Sequence, residues 1–364
     1  MKKYDIAAYI WPSYTGKDDR SLIFWPDGEG EWQTVRNAES KFDGHLLPRI
    51  PLLGYKDEAE SETMEEQIEL ASSHGVNVFI YDWYWYDRRP FLECCLNDGF
   101  LKAKNRSKMK FYLMWANHDA GYTWDKRLAG GRDVPVWLGL ADRAQFDIIA
   151  DRVTQRYFSL PEYYLTDGKP VFAIYDIDNL INGLGGIENT KSALDSFREK
   201  AVKAGHKGLN LQLILWGERI HNFSGIDKKW MYSSEIAKTL GFDSVTNYQY
   251  VHFVDIDRDY CDVMKDVEAC WEKFASFGLT YYPHVSLGWD NNPRFNSFRG
   301  GILKNNTPEN IEKALVAAKD FADRHGVGLI TVNSWNEWTE MSYLLPDNVY
   351  GTGYLDAINR VFNE

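Results

Sequence analysis

Short apolar or aromatic runs alternate with longer amphipathic segments along the whole chain. In the longer segments, apolar residues recur at spacings of three and four, as in an α-helix that buries one face. The shorter runs are rich in β-branched and aromatic residues, which favour strands. Alternating strands and helices are typical of a parallel sheet covered by helices. The pattern predicts strands over residues 4–10, 76–82, 110–115, 170–176, 210–216, 244–249, 280–286 and 328–333.

Each predicted strand is paired with a helical segment, which gives eight pairs. The clearest helices are expected over residues 65–73, 144–157, 191–204, 259–277 and 309–324. Thr307, Pro308 and Glu309 read as an N-cap, a first-turn proline and a first-turn acid. Gly75, Gly205 and Gly326 each stand between a helix and a strand, where a C-cap glycine is expected.

The eight pairs predict an α/β fold, a single (β/α)8 TIM barrel spanning residues 1–364 as one catalytic domain. No linker, repeat or low-complexity tract divides the chain. An open doubly wound sheet is the structural alternative. That fold normally has a glycine-rich phosphate loop after its first strand, whereas this chain has Ile10, Trp11 and Pro12 there. The barrel is therefore favoured.

The chain contains 14 Trp, 22 Tyr and 19 Phe, more aromatic residues than an ordinary core needs. Indole and phenol rings have an apolar face and a polar edge, which suits sugar rings, although such residues also occur at protein interfaces. The formal net charge of -12 disfavours nucleic-acid and anionic-membrane partners, because both are negatively charged. We therefore expect a carbohydrate partner; the oligomeric state stays open.

No cofactor or metal site is expected, because the four cysteines lack metal-binding spacing and no motif demands a cofactor. Asp5 interrupts the short apolar run near the N-terminus, so that run does not resemble a secretory segment. No apolar stretch is long enough to insert into a membrane. The expected location is cytoplasmic, with an exported form if a signal once preceded the chain.

Polar and aromatic residues follow nearly every predicted strand. Barrel enzymes place their chemistry at the carboxyl ends of the strands, so these residues are the candidate site. A ring of such side chains suits a polyhydroxylated ligand better than a core alone would require. The candidate substrate-binding residues are Tyr9, Trp11, Asp82, Trp85, Trp115, Asn117, Tyr175, Trp216, Glu218, Tyr248, His284, Trp289, Asp290, Arg294, Trp335, Asn336, Trp338 and Tyr350.

Glu337 and Glu340 are the candidate catalytic residues. They lie three positions apart just after the last predicted strand, so a helical turn would project both in similar directions. Glycoside hydrolysis needs one carboxyl group that donates a proton and a second that acts as base or nucleophile. The neighbouring Trp335 and Trp338 are expected to exclude water and raise one of the two pKa values. A solvated acidic loop is the alternative interpretation.

Two further clusters carry polar groups. The first runs from Trp289 to Arg294 and combines amide, carboxylate and guanidinium groups suited to hydroxyls; alternatively it is a turn closed by a salt bridge. The second contains His118, and a lone histidine is more often structural than catalytic.

Four segments resemble the glycoside hydrolase family 99-like proteins, which include the WbsX-like glycosyltransferases of polysaccharide gene clusters. The resemblance spans nearly the full chain, and its last segment is long and specific. The segments are residues 79–86 (FIYDWYWY), 115–117 (WAN), 289–294 (WDNNPR) and 333–356 (NSWNEWTEMSYLLPDNVYGTGYLD).

The resemblance implies roles for both glutamates. Glu337 would deprotonate the sugar 2-hydroxyl, which then attacks the anomeric carbon and gives a 1,2-anhydro sugar. Glu340 would protonate the leaving oxygen, and the reaction would retain configuration. The chain departs from the endo-α-mannosidases of the family at residues 341–343, so the resemblance leaves mannose specificity open.

Three alternatives remain. An ordinary two-carboxylate mechanism would pair Glu218 with Glu337 or Glu340. A glycosyltransferase of surface-polysaccharide biosynthesis would need a diphosphate site, often with a metal held by an Asp-x-Asp pair. Such pairs occur at residues 176–178 and 255–257, although the pattern is short enough to arise by chance. A catalytically silent glycan-binding barrel would need the tryptophans but not the glutamates.

Overall fold

A ring of parallel strands forms the centre of the computed structural model, which describes residues 3–132, 134–223 and 230–363. Strand one pairs with strand two on one side and with strand eight on the other, and the strands follow one another in chain order without the reversal of a doubly wound sheet. The predicted (β/α)8 barrel is therefore confirmed. In chain order the strands are Asp5–Ile10, Val78–Tyr86, Lys110–Trp115, Lys169–Ile174, Asn210–Ile214, Ser244–Thr246, the divided strand seven, and Leu329–Asn333.

Strand seven is divided into Thr280–Tyr281 and His284–Ser286. The first part pairs with strand six and the second with strand eight, so the two parts together close the ring. Pro283 stands at the break and has no N–H to donate to a neighbouring strand. Its carbonyl oxygen instead accepts the Thr331 N–H at 3.0 Å, which begins the pairing with strand eight.

Helices cover the outside of the barrel. Gly326 ends the helix before strand eight with a φ of 66°, as the sequence predicts, since glycine reaches this left-handed conformation without steric cost. The α-helices are Trp32–Arg36, Ser61–Ser73, Arg143–Arg156, Ile177–Leu184, Ile187–Lys203, Ser233–Thr239, Tyr260–Ala275, Pro308–His325 and Gly353–Phe362.

The second of the eight expected pairs has no regular α-helix. The segment after strand two forms a π-helical turn, Cys95–Gly99, followed by the 3-10 turns Phe100–Lys102 and Arg106–Lys108. Gly99 packs so closely that an added Cβ would lie 2.2 Å from the Glu58 carbonyl oxygen. This close approach explains a glycine at a position where it weakens a helix.

Most of the remaining short elements lie in loops at the carboxyl ends of the strands, whereas Leu165–Thr166 pairs with the start of strand four. No helix within the described ranges is long and apolar enough to cross a membrane. The other 3-10 turns are Asp19–Ile23, Lys126–Leu128, Tyr250–His252, Asn292–Arg294 and Trp338–Glu340. The short strands are Arg89–Phe91, Leu165–Thr166, Ile220–Asn222, Trp230–Tyr232, Asn336–Glu337 and Ser342–Tyr343.

Candidate active site

A cleft of about 350 Å³ opens at the carboxyl ends of the barrel strands. Its volume falls in the range of roughly 300–1,000 Å³ that is typical of small-molecule sites. The wall combines aromatic rings, carboxylates, two imidazoles and one guanidinium. The lining residues are Trp11, Asp82, Tyr84, Met114, Ala116, His118, Asp119, Thr123, Trp124, Tyr175, Trp216, Tyr248, His252, Trp289, Arg294, Glu337 and Glu340.

Arg294 holds both candidate catalytic glutamates. Its Nη2 donates to Glu337 Oε1 at 2.7 Å, and its Nη1 donates to Glu340 Oε1 at 2.8 Å. Both glutamates and Arg294 line the cleft, so the spacing of three residues does bring the two carboxyl groups into one pocket. Burial alone would lower the pKa of Arg294, but Glu340, Glu31 and Glu337 together raise it. Arg294 therefore stays cationic.

Burial raises the pKa of both glutamates. For Glu337 the negative charge of Glu340 raises the pKa further, while Arg294 lowers it; the net pKa stands well above the usual range. The pKa of Glu340 is also raised by burial, with Arg294 opposing the shift. One guanidinium charge does not balance two buried carboxylates, so this electrostatic environment favours one retained proton on the pair.

The surroundings of the two glutamates differ. Glu337 accepts from Arg294 at Oε1, while its Oε2 lies 3.5 Å from the Tyr248 hydroxyl, whose single proton is donated to Asp82. Glu340 Oε2 has no hydrogen-bond partner among the described residues. The unpaired oxygen of Glu340 is free to carry a proton towards a bound ligand, although the charge of Glu340 raises the pKa of Glu337 further, so the proton is shared by the coupled pair.

Asp82 adds another carboxyl group to the cleft. The Tyr248 hydroxyl donates to its Oδ2 at 2.9 Å. Burial raises the pKa of Asp82 well above its usual range, and the Tyr248 hydrogen bond only partly opposes this shift. Strand two presents Asp82 to the barrel mouth because alternate residues of a strand face inward.

Glu31 lies behind the cleft and is fully buried. It accepts from Trp11 Nε1 and, at 2.9 Å, from the Thr339 hydroxyl. Thr339 in turn accepts from Arg294 Nε at 2.8 Å, and Arg294 Nη2 lies 3.6 Å from Glu31. Glu31 thus fixes two cleft residues, Trp11 and Arg294, without lining the cleft itself.

Stacked aromatic rings form one wall. The Trp216 and His252 rings are 4.5 Å apart and nearly parallel, and Tyr175 packs edge-on against Trp216 at 4.9 Å. Burial lowers the pKa of His252 to about 3 and also lowers that of His118. Both imidazoles are therefore neutral near pH 7.

Nine of the twenty residues predicted from the sequence line the cleft together. They come from loops that are far apart along the chain and meet because the carboxyl ends of all barrel strands lie on one face. These nine are Trp11, Asp82, Tyr175, Trp216, Tyr248, Trp289, Arg294, Glu337 and Glu340.

Five predicted residues point away from the cleft. Trp85 donates to Gln145, and Trp335 donates to Gln67, both on the helical layer. Strand alternation explains the direction of Trp85, because its neighbour Tyr84 faces the cleft, whereas Trp335 lies beyond the end of strand eight. The same correction applies to Trp115, which packs on Phe146; to Glu218, which accepts from Ser234; and to Trp338, which stacks on Tyr343.

Four predicted residues lie below the cleft and support it. The Asn336 side chain accepts from the Trp11 N–H and donates to the Trp11 carbonyl, which fixes the backbone of a cleft residue. The Asn117 side chain bonds the backbone of Asp176 in the same reciprocal way. The others are Tyr9, bonded to the Asn247 carbonyl, and His284, bonded to Thr331 and Ser286.

Asp290 and Tyr350 line a second pocket of about 200 Å³ beside the cleft. Trp289 contributes to both cavities.

Several cleft residues were missed or set aside at the sequence level. Trp124, Asp119 and Thr123 line the cleft from a long loop with no motif, and Glu31, which lies behind the cleft, also stands in a loop whose sequence offers no signal. His252 continues the alternation of Tyr248 and Tyr250 after strand six, which was a usable signal. His118, set aside as a lone histidine, and Tyr84 also line the cleft.

Aspartates of both Asp-x-Asp pairs contact neighbouring protein groups. Asp176 caps the helix Ile177–Leu184, and an Asp178 carboxylate oxygen lies 2.6 Å from His221 Nδ1. In the other pair, Asp257 contacts Lys304 at 2.9 Å. Within the described residues, no group of three or more His, Cys, Asp or Glu is placed to hold a metal ion.

Comparison with known proteins places this barrel in a family. The family described as Glycosyltransferase WbsX matches residues 6–358. The chain belongs to this WbsX family. Two curated proteins from strains of Xanthomonas campestris pv. campestris, each named uncharacterized protein WxcX, are 27% identical over 342 residues, covering 93% of this chain and 46% of the relative. This WbsX-family chain thus spans about half the length of the curated relatives it matches.

Solved structures with the same fold include glycoside hydrolases. A glycoside hydrolase-like protein superposes with a TM-score of 0.63 and 14% identity, covering 100% of this chain and 94% of the other. The GH99 endo-alpha-mannosidase from Bacteroides thetaiotaomicron gives a TM-score of 0.60 and 14% identity, with coverages of 100% and 97%. These likenesses show that this WbsX-family chain has the barrel fold of glycoside hydrolases.

Proposed function

We propose that this protein is a retaining glycoside hydrolase acting on an α-linked oligo- or polysaccharide, with mannose-containing glycans as the first candidates to test. The observation that carries the proposal is that Glu337 and Glu340 line one cleft and are both held by Arg294. Their spacing in the chain, burial and shared cation are what a coupled acid and base require. The family 99-like resemblance and the shared fold support the α-linked substrate class.

In the proposed reaction, Glu337 accepts the proton of the sugar 2-hydroxyl as that oxygen attacks the anomeric carbon. Glu340 donates its proton to the glycosidic oxygen, so the bond to the leaving sugar breaks and a 1,2-anhydro sugar forms. Water then adds to the anomeric carbon, with Glu340 accepting the water proton and the sugar 2-oxygen regaining a proton from Glu337. The unpaired Oε2 of Glu340 supports its role as the acid, and the family 99-like resemblance supports the role of Glu337 as the base.

The test combines a substrate panel with two variants. Wild-type protein is incubated with α-linked oligosaccharides, and products are followed by NMR to read their anomeric configuration. Glu337→Gln and Glu340→Gln should each lower turnover on the order of a hundredfold or more while binding persists, because proton transfer is lost and shape is kept. Glu66→Gln removes an exposed carboxylate that pairs with Lys56 and serves as the control. Full activity in both site variants would contradict the assignment.

The family description favours a second candidate, a glycosyltransferase of polysaccharide biosynthesis. That reaction predicts transfer from a nucleotide sugar to a glycan acceptor, dependence on a divalent metal, and a thermal shift with the nucleotide sugar. The hydrolase predicts release of free sugar from a glycan with EDTA present. Running both assays on the same preparation distinguishes the two activities.

A further inference from the structure

The second pocket, of about 200 Å³, adjoins the cleft at Trp289. Its wall comes from loops after strands one, seven and eight, so it opens on the same face of the barrel as the cleft. Its lining residues are Phe42, Gly44, His45, Leu46, Arg49, Trp289, Asp290, Ile302, Leu303, Asn306, Met341, Tyr343, Tyr350 and Tyr354.

Aromatic faces alternate with fixed polar groups in this pocket. Tyr350 and Tyr354 rings lie 5.4 Å apart, and the Arg49 guanidinium sits 5.6 Å above Tyr350. Across the pocket, His45 Nε2 lies 2.8 Å from an Asp290 carboxylate oxygen. Rings with apolar faces and a few oriented polar groups are the combination that recognises a sugar unit.

The pocket lies on the Glu340 side of the cleft. The Asp290 N–H donates to the Glu340 carbonyl oxygen at 2.8 Å, and the next residue, Met341, lines the pocket. A general acid stands beside the oxygen of the departing sugar, because it must deliver a proton to that oxygen. The pocket is therefore on the side where the leaving part of the glycan would lie.

We infer that this second pocket binds a sugar unit on the leaving side of the cleaved bond, with Tyr350 as its stacking surface. The ligand is then an oligosaccharide that spans both cavities across Trp289, and cleavage occurs within the chain. This inference rests on the proposed function, because the pocket is on the leaving side only if Glu340 is the acid.

The test measures binding, so it does not depend on turnover. In a Glu340→Gln background, calorimetry compares methyl α-mannoside with an α-linked mannotetraose. The tetraose should bind more tightly, and Tyr350→Ala should reduce that advantage roughly tenfold because the stacking face is lost. Phe277→Ala removes another half-buried aromatic residue, one that lies before strand seven at the opposite end of the barrel, and should leave the advantage unchanged. Circular dichroism checks the fold of each variant.

A crystal structure with the tetraose supplies a second reading that does not depend on any Tyr350 variant. Density for a sugar ring beside Tyr350 supports the inference. It is overturned if the tetraose binds no better than the monosaccharide, if Tyr350→Ala keeps the full advantage, or if the glycan leaves the cleft on the Asp119 side. Wild-type protein that binds the tetraose through Tyr350 but cleaves nothing would contradict the proposed function and leave the pocket as a glycan site.

Discussion

Arg294 divides one guanidinium charge among three glutamates, Glu31, Glu337 and Glu340. Two of these carboxyl groups line the cleft, while Glu31 holds Arg294 from behind. The negative charge of Glu31 also contributes to the raised pKa of Glu337. Glu31 is therefore a positioning residue whose charge is felt by the proposed base.

We predict that Glu31→Gln shifts the acid limb of the pH profile of kcat/KM to lower pH. Removing the buried charge takes away one cause of the raised Glu337 pKa, so Glu337 ionises at lower pH. The measurement is kcat/KM for hydrolysis of the substrate found in the panel, from about pH 3 to about pH 9.

Glu29→Gln is the matched control, because Glu29 lies two residues earlier and pairs with Arg36 at the surface. It should leave the pH profile unchanged. If Glu31→Gln lowers the rate equally at every pH and leaves the acid limb in place, the prediction is wrong and Glu31 only supports the packing.

Alternation within single strands separates the cleft from the helical layer. On strand two, Asp82 and Tyr84 face the cleft, while Trp85 turns outward to Gln145. After strand eight ends at Asn333, Trp335 lies against the helix Ser61–Ser73, where it donates to Gln67. Neighbouring aromatic residues at one strand end therefore belong to different places, one to the cleft and the other to the barrel–helix interface.

The helix Pro308–His325 offers a direct test of this layered packing. Leu315 is fully buried, whereas its neighbour Val316 is 44% exposed. Leu315→Ala should lower the free energy of unfolding by about 2–5 kcal/mol, since it leaves a cavity. Val316→Ala should change it by less than about 0.5 kcal/mol. Urea unfolding followed by circular dichroism measures both, and equal effects would contradict the assigned helix face.

Buried carboxyl groups link the stability of the whole molecule to pH. Glu58 is buried beneath the cleft, where it accepts from Gln67 at 3.0 Å and Asn336 at 2.8 Å. Burial raises the pKa of Glu58 to about 8, against the two amide hydrogen bonds. Between its unfolded and folded pKa values, the folded protein holds a proton that the unfolded chain has released. The contribution of Glu58 to stability therefore falls as pH rises through this range.

We predict that the free energy of unfolding declines less steeply in Glu58→Gln than in wild type from about pH 4.5 to about pH 8. Over that pH range, the free energy of unfolding of the variant relative to wild type should rise by a few kcal/mol. Denaturant unfolding at several pH values measures it. The substitution also alters hydrogen bonds, which shifts the free energy of unfolding equally at every pH. Only a difference that changes with pH reports the titration of Glu58. Parallel curves would show that Glu58 does not titrate there.

Much of the fold was readable from the sequence because each barrel strand is a short buried run with its own local signal. Strand three begins and ends at the predicted residues, 110 and 115. The split of strand seven escaped prediction, since a single proline inside an apolar run shows its effect only when both neighbouring strands are present. The missing helix after strand two also escaped prediction, and the close packing of Gly99 on Glu58 in that segment exists only in the folded chain.

The sequence by itself determined the strand–helix alternation, the barrel and the spacing of Glu337 and Glu340, because these depend on local periodicity and neighbouring residues. Only the tertiary structure decided which strand-end residues share the cleft, that Arg294 joins the two glutamates, and that Glu31 stands behind them. Those relations join distant parts of the chain, such as Glu31 and Thr339, which lie 308 positions apart, and chain closure around the barrel brings them together. Burial then sets the pKa shifts of these groups, and burial is a property of the assembled fold.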